Sequence, residues 1–189
     1  MLVIAANVAP TTTTAPDYQT SAAPGPNGND TGRDRCNTGA GFDGSKVYLP
    51  RREQAGECVA SGAFAQLTQA DYSPPPRPRL SFPLPGLASI PADNRARGHL
   101  IGFSMGGSNS DSRNFVAMYQ KANQWMYENA EDKVVKAMKA GGNVFVEILP
   151  VYGNSSSPVP TSVKFFAFGS VEVNCDIANT PDATGSSCK

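Results

Sequence analysis

The chain has 189 residues, enough for one domain with a sizeable core plus an extension. Its 16 basic and 16 acidic residues cancel, which excludes a nucleic-acid binder that relies on overall positive charge. No window reaches the roughly 18 apolar residues of a membrane span, so no membrane partner is expected.

Residues 1–35 read as a flexible N-terminal linker or the remnant of a signal segment. Residues 1–9 are apolar with small side chains but carry no basic flank. Residues 10–35 are rich in Thr, Pro, Gly, Asn and Asp, have no hydrophobic period and offer little to bury. A compact domain is expected over residues 36–189. Gly41-Phe42-Asp43-Gly44 reads as a turn, and residues 46–49 as a short strand ended by Pro50. Residues 60–70 place Phe64 and Leu67 on one face of a short helix. Residues 73–78 are Pro-rich and read as an extended connection. Residues 79–82 and 87–90 are short strand candidates.

Residues 99–103 have β character, which breaks at Gly106-Gly107. Residues 108–113 form a polar loop. A helix is expected from about residue 119 to 140, with Val134, Val135 and Met138 at helical spacing and Gly141-Gly142 as its stop. Trp125 and Tyr127 read as packing residues of that helix. Residues 143–152 alternate as a strand, with Val144, Val146 and Ile148 on one face. Residues 163–173 read as a last long strand, and the two strands form a hairpin. The class is α+β: an antiparallel β-sheet with one principal helix packed against it, loop-rich.

The four cysteines include no Cys-x-x-Cys pair, and a single histidine cannot complete a Cys₂His₂ site, so zinc is not expected. Two disulfides fit better. Pairing Cys36 with Cys58 and Cys175 with Cys188 closes two short local loops, each adding about 3 kcal/mol by restricting the unfolded chain. Disulfides imply an oxidising compartment and hence a secreted, extracellular protein.

Charge is unevenly distributed. Nine basic residues face five acidic ones between Arg77 and Lys139, and this basic stretch surrounds His99, the only histidine. A lone imidazole titrates in the range useful to a general base. Arg97, two residues earlier, offers the planar donor fork that suits phosphate. A hard divalent ion such as Mg²⁺ takes oxygen ligands and keeps several waters, so it needs no cluster of carboxylates. Asn114, Asn123, Glu128 and Glu131 are the candidate ligands downstream. On a continuous α-helix Glu131 lies about 80° from Asn123 and Glu128 about 140°, so Glu131 shares the face of Asn123 better. Individually, each of these residues also reads as an ordinary surface, capping or solvated position.

Their order and spacing carry more. Arg97-Gly98-His99-Leu100-Ile101-Gly102, then Gly106-Gly107-Ser108, Asp111-Ser112-Arg113-Asn114-Phe115-Val116, Ala122-Asn123-Gln124 and residues 131–138 resemble the DNA/RNA non-specific endonuclease family, whose active site is the ββα-metal, or His-Me finger, motif. The strand at residues 144–152 is similar to the family's Val-rich strand ending in Tyr. The resemblance covers about residues 79–173. It implies that His99 is the general base and that Asn123 binds a single Mg²⁺, or Mn²⁺, directly. It also implies that Asn114 supports the site, that Glu131 (with Glu128 as the fallback) holds the metal's waters, and that Arg97 is the arginine of Arg-Gly-His. Many members have Asp before that arginine; this chain has Ala96. The implied activity is endonucleolytic, sequence-independent hydrolysis of DNA, and of RNA, to 5′-phosphate ends. Two other readings fit the residues: a non-catalytic secreted binding module, and the same nuclease exported as an antibacterial toxin with an immunity protein as partner.

Overall fold

A computed structural model describes Cys36, residues 39–74, Pro76, Leu80, residues 82–154 and residues 156–189. The expected linker at 1–35 lies outside the described residues. So do Arg79 and Ser81 of the expected strand at 79–82, where Phe82 forms a bend.

The fold is α+β, and its main layer is a seven-stranded antiparallel sheet. The strands are β1 (Gly41–Asp43), β2 (Lys46–Tyr48), β5 (Ala63–Leu67), β8 (Val144–Val151), β9 (Ser162–Gly169), β10 (Val173–Ala178) and β11 (Ser187–Cys188), in that spatial order. Two antiparallel hairpins stand apart from it, β3 (Arg52–Gln54) with β4 (Glu57–Val59) and β6 (Arg95–His99) with β7 (Phe115–Tyr119). The principal helix is α1 (Gln120–Met126), a π-helical turn (Tyr127–Glu131) and α2 (Asp132–Lys139) in unbroken succession.

The period-2 pattern builds the sheet's inner face. Ala63, Ala65 and Leu67 alternate inward on β5, Val144, Val146 and Ile148 on β8, and Val163, Phe165 and Ala167 on β9. Ala122, Met126, Ala130, Val134 and Met138 of the helix are fully buried in the same core. Cys36–Cys58 and Cys175–Cys188 are both disulfide-bonded. The second joins directly opposed residues of β10 and β11.

Several local expectations are overturned, each for an identifiable reason. Residues 60–70 do not form a helix. Phe64 pairs with Val47 on one side and Glu147 on the other, so pairing on two sides outweighs the helix preference of the alanines. Gly41 to Asp43 is strand, with the turn at Gly44 and Ser45. Residues 87–90 form a 3₁₀ turn, because Leu87, Ser89 and Ile90 donate to carbonyls three residues back and need no ladder partner. The strand expected over 99–103 instead ends at His99. Beyond it the backbone of Ile101 bonds to the Asn114 side chain, which replaces a neighbouring strand. The long strand expected over 163–173 is two strands. Gly169, at φ 113°, turns the chain out of β9 and β10 returns alongside.

Candidate active site

The hairpin β6–β7 runs straight into α1 with no loop, since Tyr119 ends the strand and Gln120 opens the helix. Strand, strand and helix therefore form one ββα unit. His99 is the last residue of β6, opposite Phe115. Its ring lies 4.3 Å from that of Phe115 and is almost wholly buried. Its Nε2 meets Asn109 Oδ1 at 3.0 Å.

Two glycines make room around the site. A Cβ on Gly98 would collide with the Met118 side chain on the facing strand β7, and would be in ordinary contact with Asn123 Oδ1. A Cβ on Gly102 would stand 2.6 Å from Glu131 Oε2. Glycine in Arg-Gly-His thus lets the two strands close, and glycine in Leu-Ile-Gly lies where Glu131 comes to rest.

His99, Asn123 and Glu131 line one cleft of about 340 Å³, together with Gly102, Gln120 and Tyr127. The π turn contributes to this convergence. On a uniform α-helix Asn123 and Glu131 would differ by about 80°. A π turn winds less per residue, which removes rotation between them. Asn129 Nδ2 donates to the Trp125 carbonyl at 2.9 Å, a polar tie across that turn. Glu128 does not join the cleft: it is exposed and accepts from Gln124 Nε2 at 2.8 Å. Trp125 packs against the core as expected. Tyr127 departs from the packing expectation: it is half exposed and lines the cleft, because the π turn carries it to the open side.

Asn114 and Arg97 stand outside the cleft lining. Asn114 is fully buried. Its Oδ1 accepts from Ile101 N–H at 2.8 Å, and its Nδ2 donates to the carbonyls of Ile101 (3.0 Å) and Ser108 (2.9 Å). It clamps together both ends of the loop that follows His99. Arg97 lies two residues before His99, on the same face of β6. Its guanidinium is 5.5 Å from the Phe82 ring centroid, and its Nη1 is buried with no hydrogen-bond partner among the described residues. Asn109 is a residue that sequence reasoning missed. It sits in a polar loop, and only the fold brings that loop back to His99.

No group of three His, Cys, Asp or Glu stands together among the described residues. Asn123 and Glu131 bring an amide and a carboxylate oxygen to the cleft, beside the neutral oxygens of Ser104, Gln120, Gln124 and Tyr127. That set suits a hard divalent ion that keeps part of its water shell, and does not suit a soft thiophilic one.

The loop carrying Asn109 is held by two anchors. Ser108 N–H donates to the Tyr48 hydroxyl at 2.7 Å, and burial pushes that phenol's pKa up to about 12. Asp111 pairs with Arg113 at 2.7 Å. Burial opposes ionisation of Asp111, but the bonds and charge of Arg113 outweigh it and hold the carboxyl below its ordinary value. Asp71 is held low in the same way: burial raises it, and the Lys46 ammonium at 2.7 Å with the Thr68 bonds lowers it further. A depressed carboxyl contributes stability at pH values above its unfolded pKa and loses it as pH falls through the folded one. The melting temperature is therefore expected to hold at neutral pH and drop below about pH 4. Asp111→Asn should flatten that drop, as thermal unfolding at stepped pH would show. An unchanged acid profile would remove these pairs from the account.

Comparisons with known proteins agree with this architecture. The family model for DNA/RNA non-specific endonuclease matches residues 83–168, which include the ββα unit and β8. The metal-free crystal structure of NucA from Streptococcus agalactiae is similar with a TM-score of 0.55 at 20% identity, over 69% of this chain and 73% of that one. NucA from the same organism with a magnesium ion bound gives 0.56 at 17% identity, over 79% and 89%. The structure of Sda1 nuclease with a bound zinc ion gives 0.50 at 14% identity, over 71% and 76%. At these identities the structural likeness shows a shared fold. No curated protein matches the chain. The family's model thus lies over the strands and helix that bring His99, Asn123 and Glu131 together, and over residues 83–168 the chain matches the DNA/RNA non-specific endonuclease family.

Proposed function

We propose that this nuclease is a metal-dependent, sugar-non-specific endonuclease that hydrolyses phosphodiester bonds of DNA and RNA to 5′-phosphate ends. The observation that carries the reading is the convergence of His99, Asn123 and Glu131 on one cleft inside the family-matched segment. His99 takes a proton from the attacking water as general base. Phe115 packs against its ring at 4.3 Å. Asn123 would hold the ion through its amide oxygen, with Glu131 beside it to hold the ion's waters, and Mg²⁺ or Mn²⁺ would supply positive charge against the negative charge that builds on the phosphate and the leaving oxygen. Arg97 adds a fixed positive charge on the His99 face of the hairpin. Asn114 supports the site from behind by clamping the loop. Gln120, Gln124 and Tyr127 at the cleft wall offer polar and stacking contacts that carry no base code, in keeping with sequence-independent binding. The two disulfides support action outside the cell, in an oxidising compartment. The nuclease domain spans residues 36–189.

The test is to incubate the purified chain with plasmid DNA and with RNA, in Mg²⁺ and in EDTA. Degradation of both substrates in Mg²⁺ alone is the expected result. Intact substrates in both buffers would favour the non-catalytic binding module. Asn123→Ala is expected to cut the Mg²⁺-dependent rate by at least about a hundredfold. It should also abolish the rise in melting temperature that Mg²⁺ gives the wild type, a readout independent of turnover. A variant that keeps the full Mg²⁺-induced shift would show that Asn123 is not the ligand.

A further inference from the structure

We infer that Arg51 binds a phosphate of the substrate strand that neighbours the one being cut; this rests on the proposed cleavage of nucleic acid at His99. Arg51 stands between β2 and β3, outside the segment that the family's model matches. Two buried side-chain donors have no partner among the described residues, Arg51 Nε and Arg97 Nη1. Buried charged donors are ordinarily paired, and one left open costs free energy until an acceptor reaches it. The planar guanidinium fork fits the oxygens of a phosphate. Arg51 lines a second cleft, of about 580 Å³, to which Ser110 and Ser112 bring hydroxyl groups. The other charges there leave Arg51 open. Asp111 and Arg113 pair with each other at 2.7 Å, and Arg113 also donates to the Gly39 carbonyl. Asp43 is exposed on β1 and makes no salt bridge among the described residues.

This second cleft adjoins the site of His99. Ser108 and Ser110 line it, and Asn109 between them meets the His99 ring. Arg51 and Ser112 also border a narrow crevice against Phe115, whose ring lies 4.3 Å from that of His99. One aromatic side chain therefore separates Arg51 from the base. A strand that presents a phosphate to His99 and follows the loop over 108–113 brings a neighbouring phosphate to Arg51. The contact carries no base code and adds one ion pair to binding. Arg51 does not touch the reacting atoms, so it acts on substrate binding and not on turnover.

Binding measured without cleavage reads the contact directly. A fluorescein-labelled single-stranded oligonucleotide is titrated with the full chain in EDTA at stepped salt concentrations. Arg51→Met keeps the aliphatic stem and removes the charge. It is expected to raise Kd about tenfold and to reduce the slope of log Kd against log salt by about 0.7. In Mg²⁺ its KM should rise about as much, with kcat within about twofold. Its melting temperature should stay at or above that of the wild type, because no partner is lost. Ser110→Glu puts a negative charge on the same cleft at an exposed position, and should repeat the rise in Kd. An Arg51→Met chain with the wild-type Kd and salt slope would overturn the inference, as would one that loses stability but keeps the slope. If Arg51→Met does not fold, an unchanged Kd for Ser110→Glu overturns it alone. Inorganic phosphate that raises the melting temperature of the wild type but not of Arg51→Met, with oligonucleotide binding equal in the two, would assign the cleft to free phosphate instead. Failure of the nuclease reading looks different: no chain cleaves in Mg²⁺, while the titration in EDTA still scores Arg51.

Discussion

His99→Ala is expected to lower cleavage by about 10²–10⁴-fold while leaving the chain folded. An imidazole is the side chain chemically suited to general-base work in this cleft, whose other ionisable lining residues are the acid Glu131 and the phenol Tyr127. The structural cost of removing the ring is modest. The substitution forfeits the Asn109 hydrogen bond and the Phe115 ring contact, together about 1–2 kcal/mol, within what a domain of this size tolerates. Rate and melting temperature measured on the same sample separate the two effects. Added imidazole should restore part of the lost rate, because the vacated space opens on the cleft. Near wild-type cleavage by a folded His99→Ala variant would end the general-base assignment.

Asn114→Ala is expected to destabilise the domain by about 3 kcal/mol and to lose activity as a consequence. The side chain serves the buried N–H and carbonyl of Ile101 and the part-buried carbonyl of Ser108. Truncation leaves the two Ile101 groups unpaired in the interior, and each stranded group costs about 1–3 kcal/mol before relaxation. A loss of that size lowers the melting temperature by roughly 6–12 °C for a domain of this length. Asn114→Asp keeps the acceptor and loses the two donated bonds, so it should fall between wild type and alanine. An Asn114→Ala melting curve that overlays the wild type would show that the clamp is not what holds the loop. The contrast with His99→Ala is diagnostic: one change removes chemistry at little cost in stability, the other removes stability and takes the chemistry with it.

The helix shows how much of the site could be read in one dimension. Its extent was legible from apolar spacing and from Gly141-Gly142. Its π turn was not inferred, although the signal is present. Ala122, Met126, Ala130, Val134 and Met138 recur strictly every four residues, and all are fully buried. On a uniform α-helix each step of four overshoots a turn by about 40°, so such a stripe would wind away from the core. An under-wound turn in the middle keeps it facing inward, and the same adjustment draws Glu131 toward Asn123. Simple helical phase puts Glu131 nearer than Glu128 to the face of Asn123, and Glu131 lines the cleft while Glu128 does not.

The sequence by itself determined the α+β class and the β8–β9 hairpin, favoured the two local disulfide pairs, and pointed through its family resemblance to His99, Asn123 and Glu131, which line one cleft. These follow from local periodicity, from short loop closure and from a motif whose members lie within 33 positions. Only the tertiary structure decided which side chains line the cleft and which stand behind it. It placed Asn114 in the core as a clamp, left Glu128 in solvent, kept Arg97 outside the cleft lining against Phe82, and brought Asn109 to the imidazole. Those outcomes depend on hydrogen bonds between loop and strand and on close approach at Gly98 and Gly102. Such contacts have no period along the chain; they exist only once the hairpin and helix have packed. The short Arg-Gly-His segment carries its meaning for that reason: its glycine is set by Met118 on the facing strand, 20 residues later.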